Sequence, residues 1–230
     1  MAEKNFNTPE KFLLIAHHPE KGRFKISQIY IQYGIAGAIL LDMTLEDRVE
    51  IADKRLILKP ASVTADPVIN DAVTLMSQSP KSRKADYWVR KLATRHNRYK
   101  WQLLKGLADK RMVRIEEKKF LGLIPYRQSY LVESYTRSNL IRQLKNEIMA
   151  YTREPSSASM AIAGLIEACR MYRILSDDRD ELKTIRTQLK KIIKESPVSD
   201  VVSQTIRQVQ AAIIASVTTA IIASTAGGRH

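Results

Sequence analysis

With 230 residues, 44% of them hydrophobic and 27% charged, the chain is long and apolar enough to bury a core, which excludes a disordered or fibrous polypeptide. A formal net charge of +14 and a pI near 9.9 predict attraction to polyanions, either nucleic acid or acidic lipid headgroups, and leave the fold open. The single cysteine, Cys169, excludes an internal disulfide and fits a reducing compartment; within MAIAGLIEACRMYRIL it reads as a small core residue.

The start, MAEKNFNTPEKF, has no long apolar run behind a basic stretch, so no secretory signal is expected. Thr8-Pro9-Glu10 predicts a helix start: a hydroxyl cap, a proline in the first turn and an acid near the positive dipole end. FLLIAHH continues that helix, and Pro19-Glu20-Lys21-Gly22 turns the chain. A second helix is predicted over 26–46 (ISQIYIQYGIAGAILLDMTLE), apolar over most of its surface after Tyr33. Its Gly34 and Gly37 cost helix propensity and are expected to admit a neighbouring helix at close range. Segments 48–51 and 55–58 flank Asp53-Lys54 as a short β-hairpin, and Asp66-Pro67 caps a helix through Met76. The polar SQSPKSRK is the best internal break, followed by predicted helices at 84–95 and 97–110.

A second hairpin is expected next, with 112–116 and 119–124 pairing around a short charged turn and the chain returning through 130–132. Helices are then predicted at 136–152, 157–175, 178–194 and 199–225, with Pro155 and Pro197 as punctuation. No charge lies between Arg207 and Arg229, but the apolar part, AAIIASVTTAIIA, is shorter than the ~20 residues of a bilayer span. An alanine-rich helix apolar on all sides predicts the buried central helix of a bundle rather than an anchor. The expected fold is therefore mainly α: a helical bundle around a central apolar C-terminal helix, with two small β-hairpins. It forms a single domain over 1–230 with its core at about 10–225.

Nothing in the chain calls for catalysis. His17-His18 lacks further ligands at zinc spacing, and Asp177-Asp178 with Asp180-Glu181 opens a helix, where acids complement the dipole. There is no glycine-rich phosphate loop, no G-x-S-x-G and no H-E-x-x-H, so neither metal nor cofactor is expected. The weight lies in residues 81–127, where fifteen Lys or Arg face four Asp or Glu and supply +11 of the chain's +14. This block ends in an apolar segment, Phe120-Leu121-Gly122-Leu123-Ile124-Pro125, beside Lys118, Lys119 and Arg127. Two short helices, a hairpin and interleaved Tyr87, Trp88, Tyr99 and Trp101 match the layout of a winged helix using 84–127 on nucleic acid. The same basic face with an apolar prong equally suits an anionic membrane, and a solvated basic face without a specific partner is the third reading.

In order and spacing, LLIAHHPEKGRF, YGIAGAILLDMTLEDRVEI, TADPVINDAV and LADKRMVRIEEKKFLGLIPYRQSYL resemble the Golgi phosphoprotein 3 family over roughly residues 10–225. The resemblance implies a mostly helical, non-enzymatic adapter that binds phosphatidylinositol 4-phosphate on membranes from the cytoplasmic side and retains protein clients. It further implies that Phe120, Leu121, Leu123 and Ile124 serve membrane contact or homo-oligomer formation. Arg137 and Arg142, after the hairpin, are the headgroup candidates it implies. The family's pocket tryptophan and pocket arginine fall on Ser27 and Ala36 here, which removes an aromatic wall and a bidentate phosphate donor.

Overall fold

The computed structural model describes residues 5–60, 62–150, 156–195 and 200–226. In chain order the elements are α1 (Thr8–Ala16), α2 (Gln28–Leu45), β1 (Val49–Ala52), β2 (Arg55–Leu58), α3 (Pro67–Ser77), α4 (Ala85–Ala93) and α5 (His96–Asp109). There follow β3 (Val113–Phe120), β4 (Ile124–Leu131), α6 (Ser134–Ala150), α7 (Ser157–Ala168), α8 (Tyr172–Leu175), α9 (Arg179–Glu195) and α10 (Asp200–Ala226). The fold is the expected helical bundle with one long apolar C-terminal helix and two separate two-stranded antiparallel hairpins.

Local chemistry sets most boundaries. The cap of α1 is Asn7 rather than the expected Thr8 hydroxyl: Asn7 accepts from the Glu10 N–H, and the Glu10 carboxylate accepts from the Asn7 N–H. Thr8 is instead the first helical residue, its N–H held by Asp42 Oδ1 at 2.8 Å. Asp66 caps α3 and Asp178 accepts from the Glu181 N–H at the start of α9. Asp53 and Lys54, both at positive φ, make the tight turn between β1 and β2.

Three helices, α2, α5 and α7, stop in one way. Asp47, Arg111 and Arg170 adopt left-handed φ values of 55°, 59° and 53°. The next residue's N–H then reaches back to Met43, Leu107 and Ile166 carbonyls. The stop at Arg170 breaks the helix expected over 157–175 into α7 and α8, because a left-handed residue cannot propagate a right-handed helix.

The core is one apolar cluster running from Phe6 to Val217. α2 is enclosed by α1, α4, α5, α7 and α10, and Gly34 and Gly37 explain how closely its neighbours approach. A β-carbon at position 34 would lie 2.2 Å from Phe12 Cζ, and one at 37 would lie 2.5 Å from Ile213 Cδ1. α10 packs on α2, α4 and α7, burying Ile206, Val209, Ala212, Ile213 and Val217. Residues 202–225 are long and apolar enough to cross a membrane, yet only 33% of that stretch is buried. The expectation that 211–223 is covered on all sides is therefore not met: Ile214, Ile221 and Ile222 are exposed, as is all of 221–225.

Candidate functional site

The second hairpin is longer than expected and turns elsewhere. Lys118 and Lys119 lie inside β3, paired with Tyr126 and Pro125, and the reversal falls on Leu121-Gly122-Leu123 between Phe120 and its partner Ile124. The turn needs positive φ at Leu121 (49°) and Gly122 (74°), and the Leu123 N–H closes it on the Phe120 carbonyl at 3.1 Å. Apolar residues thus occupy the tip, not a returning strand. Phe120, Leu121, Leu123 and Ile124 are 59%, 81%, 83% and 61% exposed. A leucine held in a left-handed turn with its side chain in water gains nothing from the monomer's own core.

The direction of the hairpin follows from its contacts. Its base joins the end of α5 through Met112 and Leu107, and it then runs back along α5, where Arg127 lies over the Trp101 ring at 4.6 Å. Burial, with Arg127 beside it, pulls the Lys100 ammonium below its ordinary range. An eight-residue strand spans ~26 Å at ~3.3 Å per residue, whereas the fourteen residues of α5 span ~21 Å at ~1.5 Å per residue. The tip therefore reaches the level where α5 begins.

That level is also where α2 begins: Gln32 donates to the Ala93 carbonyl just before α5, while Leu45 and Glu46 share a cavity with Gly106 and Lys110 near its end. α10 runs opposite to α2, with Val209 and Ile213 beside Gly37 and Ile214, Val217 and Ile221 beside Tyr30. The hairpin tip, the free end of α10 and the start of α5, with Arg95, Arg98 and Lys100, thus gather at one end of the bundle.

The two candidate headgroup arginines are not brought together. Arg137 is 7% exposed and donates to the Ile15 carbonyl at 3.0 Å, so it closes the C-terminal end of α1, where cations are favoured. Beside it His17 is buried: Nδ1 bonds the His18 carbonyl at 2.8 Å, which leaves Nε2 to accept from the Ser129 hydroxyl at 3.0 Å. Burial lowers the pKa of His17. Arg142 is exposed on another face of α6, 2.5 Å from Asn139 Oδ1. Ser27 is the exposed cap of α2, and Ala36 is 1% exposed.

The helical pair α4–α5 turns inward. Trp88, Val89 and Leu92 of α4 are buried, as are Tyr99, Leu103, Leu104 and Leu107 of α5, and Trp101 is half-buried between α5 and the hairpin. The opposite face of α5 presents Asn97, Arg98, Lys105 and Asp109 to solvent. Cys169 is fully buried, and burial raises its thiol pKa.

Two clefts had no signal in the linear sequence. One, of about 560 Å³, lies at the far end of the bundle and includes Glu10, Asp42, Glu46 and Asp66. All four are engaged: Glu10 by Lys110, Asp66 by Asn7 and the α3 amides, Glu46 by Arg48, and Asp42 by the Thr8 N–H. Burial raises the pKa of the fourth, Asp42. The second cleft, of about 390 Å³, lies at the hairpin-tip end and is lined by Arg170, Arg186 and Lys190. These cations come from α9 and the α7–α8 turn, and only the packing of α9 against α7 and α8 makes them neighbours.

No curated protein gives a significant match to the chain. The family model for Golgi phosphoprotein 3 (GPP34) matches residues 9–209, from α1 into α10 and through both hairpins. The chain belongs to the Golgi phosphoprotein 3 family.

Proposed function

We propose that this protein is a non-enzymatic adapter that docks peripherally on an anionic membrane from the cytoplasmic side, through the end of the bundle bearing the 120–124 tip. The observation that carries this reading is the tip itself: four apolar side chains, 59–83% exposed, on a strand pair that also carries Lys118, Lys119 and Arg127. Insertion of the tip removes apolar surface from water, while each nearby Lys or Arg adds ~1 kcal/mol of attraction to acidic lipid. Family membership supports an adapter role, phosphatidylinositol 4-phosphate as the lipid and protein clients as cargo.

Co-sedimentation with liposomes is the test. Binding is expected to rise with acidic lipid and to fall with salt, since exposed charges are screened beyond ~8 Å at physiological ionic strength. Equal binding to purely zwitterionic vesicles overturns the electrostatic part. Salt-sensitive, sequence-selective binding to duplex DNA in place of lipid would favour the nucleic-acid reading of 84–127. Concentration-dependent mass that disappears in a tip variant still able to bind lipid would make the hairpin a self-association device.

A further inference from the structure

α2 carries no Lys or Arg, its position 36 being an enclosed alanine, and Arg137 of α6 is turned inward. The cleft on the other side of the start of α2 has the opposite character. Arg170, Arg186 and Lys190 are exposed along it and form no ion pair among the described residues. The one carboxylate in its lining, Glu167, is already engaged by the Tyr172 hydroxyl at 2.6 Å. The Arg186 guanidinium lies 4.5 Å from the centre of the Tyr172 ring, which orients it without neutralising it. The backbone of Arg170 holds the left-handed position that ends α7. The facing wall is α10, whose Ile214 and Ile221 are 43% and 44% exposed, with Ile222 beyond them at 61%.

We infer that this cleft is the headgroup site for a phosphomonoester lipid. Arg170, Arg186 and Lys190 receive the phosphate, and the apolar free end of α10 lies against the acyl region. The inference rests on the membrane-docking reading and gives it a specific site. Three cations facing one engaged carboxylate match a group carrying about −1.5 to −2 charges better than a phosphodiester carrying one. Two guanidiniums supply the forked donors that phosphate oxygens accept. The cleft opens at the end of the bundle that carries the hairpin tip, so both features can meet one lipid surface.

The test uses the full chain and two vesicle types of equal surface charge, phosphatidylcholine with phosphatidic acid and phosphatidylcholine with phosphatidylserine. The expected result is tighter binding to the phosphatidic acid vesicles. Arg186→Gln with Lys190→Gln should weaken that binding roughly thirty-fold and abolish the preference. A control pair of equal charge loss outside the cleft, Lys54→Gln with Lys105→Gln, should keep the preference. Circular dichroism of both variants confirms the fold, and Arg186→Lys with Lys190→Arg, which keeps the charge, should restore binding. Equal binding of the native chain to both acidic vesicles overturns the inference and leaves the docking reading standing, as does a cleft variant that keeps the preference. Failure of the native chain to bind either acidic vesicle overturns both.

Discussion

Replacing Leu123 and Ile124 by Asp separates the two roles an apolar tip can have. In the free protein these side chains are 83% and 61% exposed, so placing charge there desolvates nothing. Within the monomer the change removes only the cross-strand pairing of Ile124 with Phe120, worth a few tenths of a kcal/mol. At ~2–4 °C per kcal/mol for a domain of this size, the melting temperature should move by less than ~2 °C. On a membrane the balance differs. Fully burying a Leu or Ile is worth ~2 kcal/mol, and weighting by the exposed fractions gives ~3 kcal/mol for the pair. That is about a hundredfold in affinity before any repulsion between the new carboxylates and acidic lipid. Melting by circular dichroism and liposome co-sedimentation are read on the same double variant. Unfolding of the variant would mean that the tip is covered in solution, and a folded variant that binds normally would remove the hairpin from the mechanism; either refutes the reasoning.

Gly34→Ala should destabilise by about 1–3 kcal/mol because its methyl group meets the rigid Phe12 ring, whereas Gly37→Ala should cost less because it meets the movable end of Ile213; urea denaturation ranks them. Arg111→Gly and Arg170→Gly should each stabilise by about 1 kcal/mol by relieving a left-handed arginine, and Arg170→Gly alone should also weaken binding to phosphatidic acid vesicles. Arg137→Met should lower the melting temperature, since it leaves the Ile15 carbonyl unpaired; weakened lipid binding at unchanged stability would instead make Arg137 a headgroup ligand. Stability should also depend on pH through two buried groups of opposite sign. His17, whose folded pKa is lowered from 6.5 by burial, contributes stability that is complete above that value and is lost as pH falls below it, by up to ~1.4 kcal/mol per pH unit. Asp42, whose folded pKa is raised from 3.8 by burial, contributes stability below that value that is lost as pH rises through the raised one, so Asp42→Asn should be more stable than the native chain near neutral pH. Denaturation across pH, with His17→Phe flattening the acid limb, checks both.

Features ruled by local chemistry could be read from the chain. Asp66-Pro67 and the Asp53-Lys54 turn were legible because caps and tight turns depend on a few adjacent residues. Gly34 and Gly37 signalled close helix contacts because glycine in a helix needs a packing reason to offset its propensity cost. The apolar segment at 120–124 was legible as well, but not its place at the tip: register is set by the pairing of two whole strands, and Glu117 and Lys118 look like turn residues until Arg127 and Tyr126 lie opposite. Which cations face solvent together is a matter of packing, and no local signal carries it. Arg137 and Arg142 are five residues apart on one helix, yet one closes α1 and the other points to water. Arg170 and Arg186 are sixteen apart and share a cleft, because α7 stops at a left-handed residue and α9 folds back beside it. The exposed end of α10 was hidden for the same reason. A uniformly apolar helix reads identically whether its neighbours cover it or end short of it, and here full burial ends at Val217.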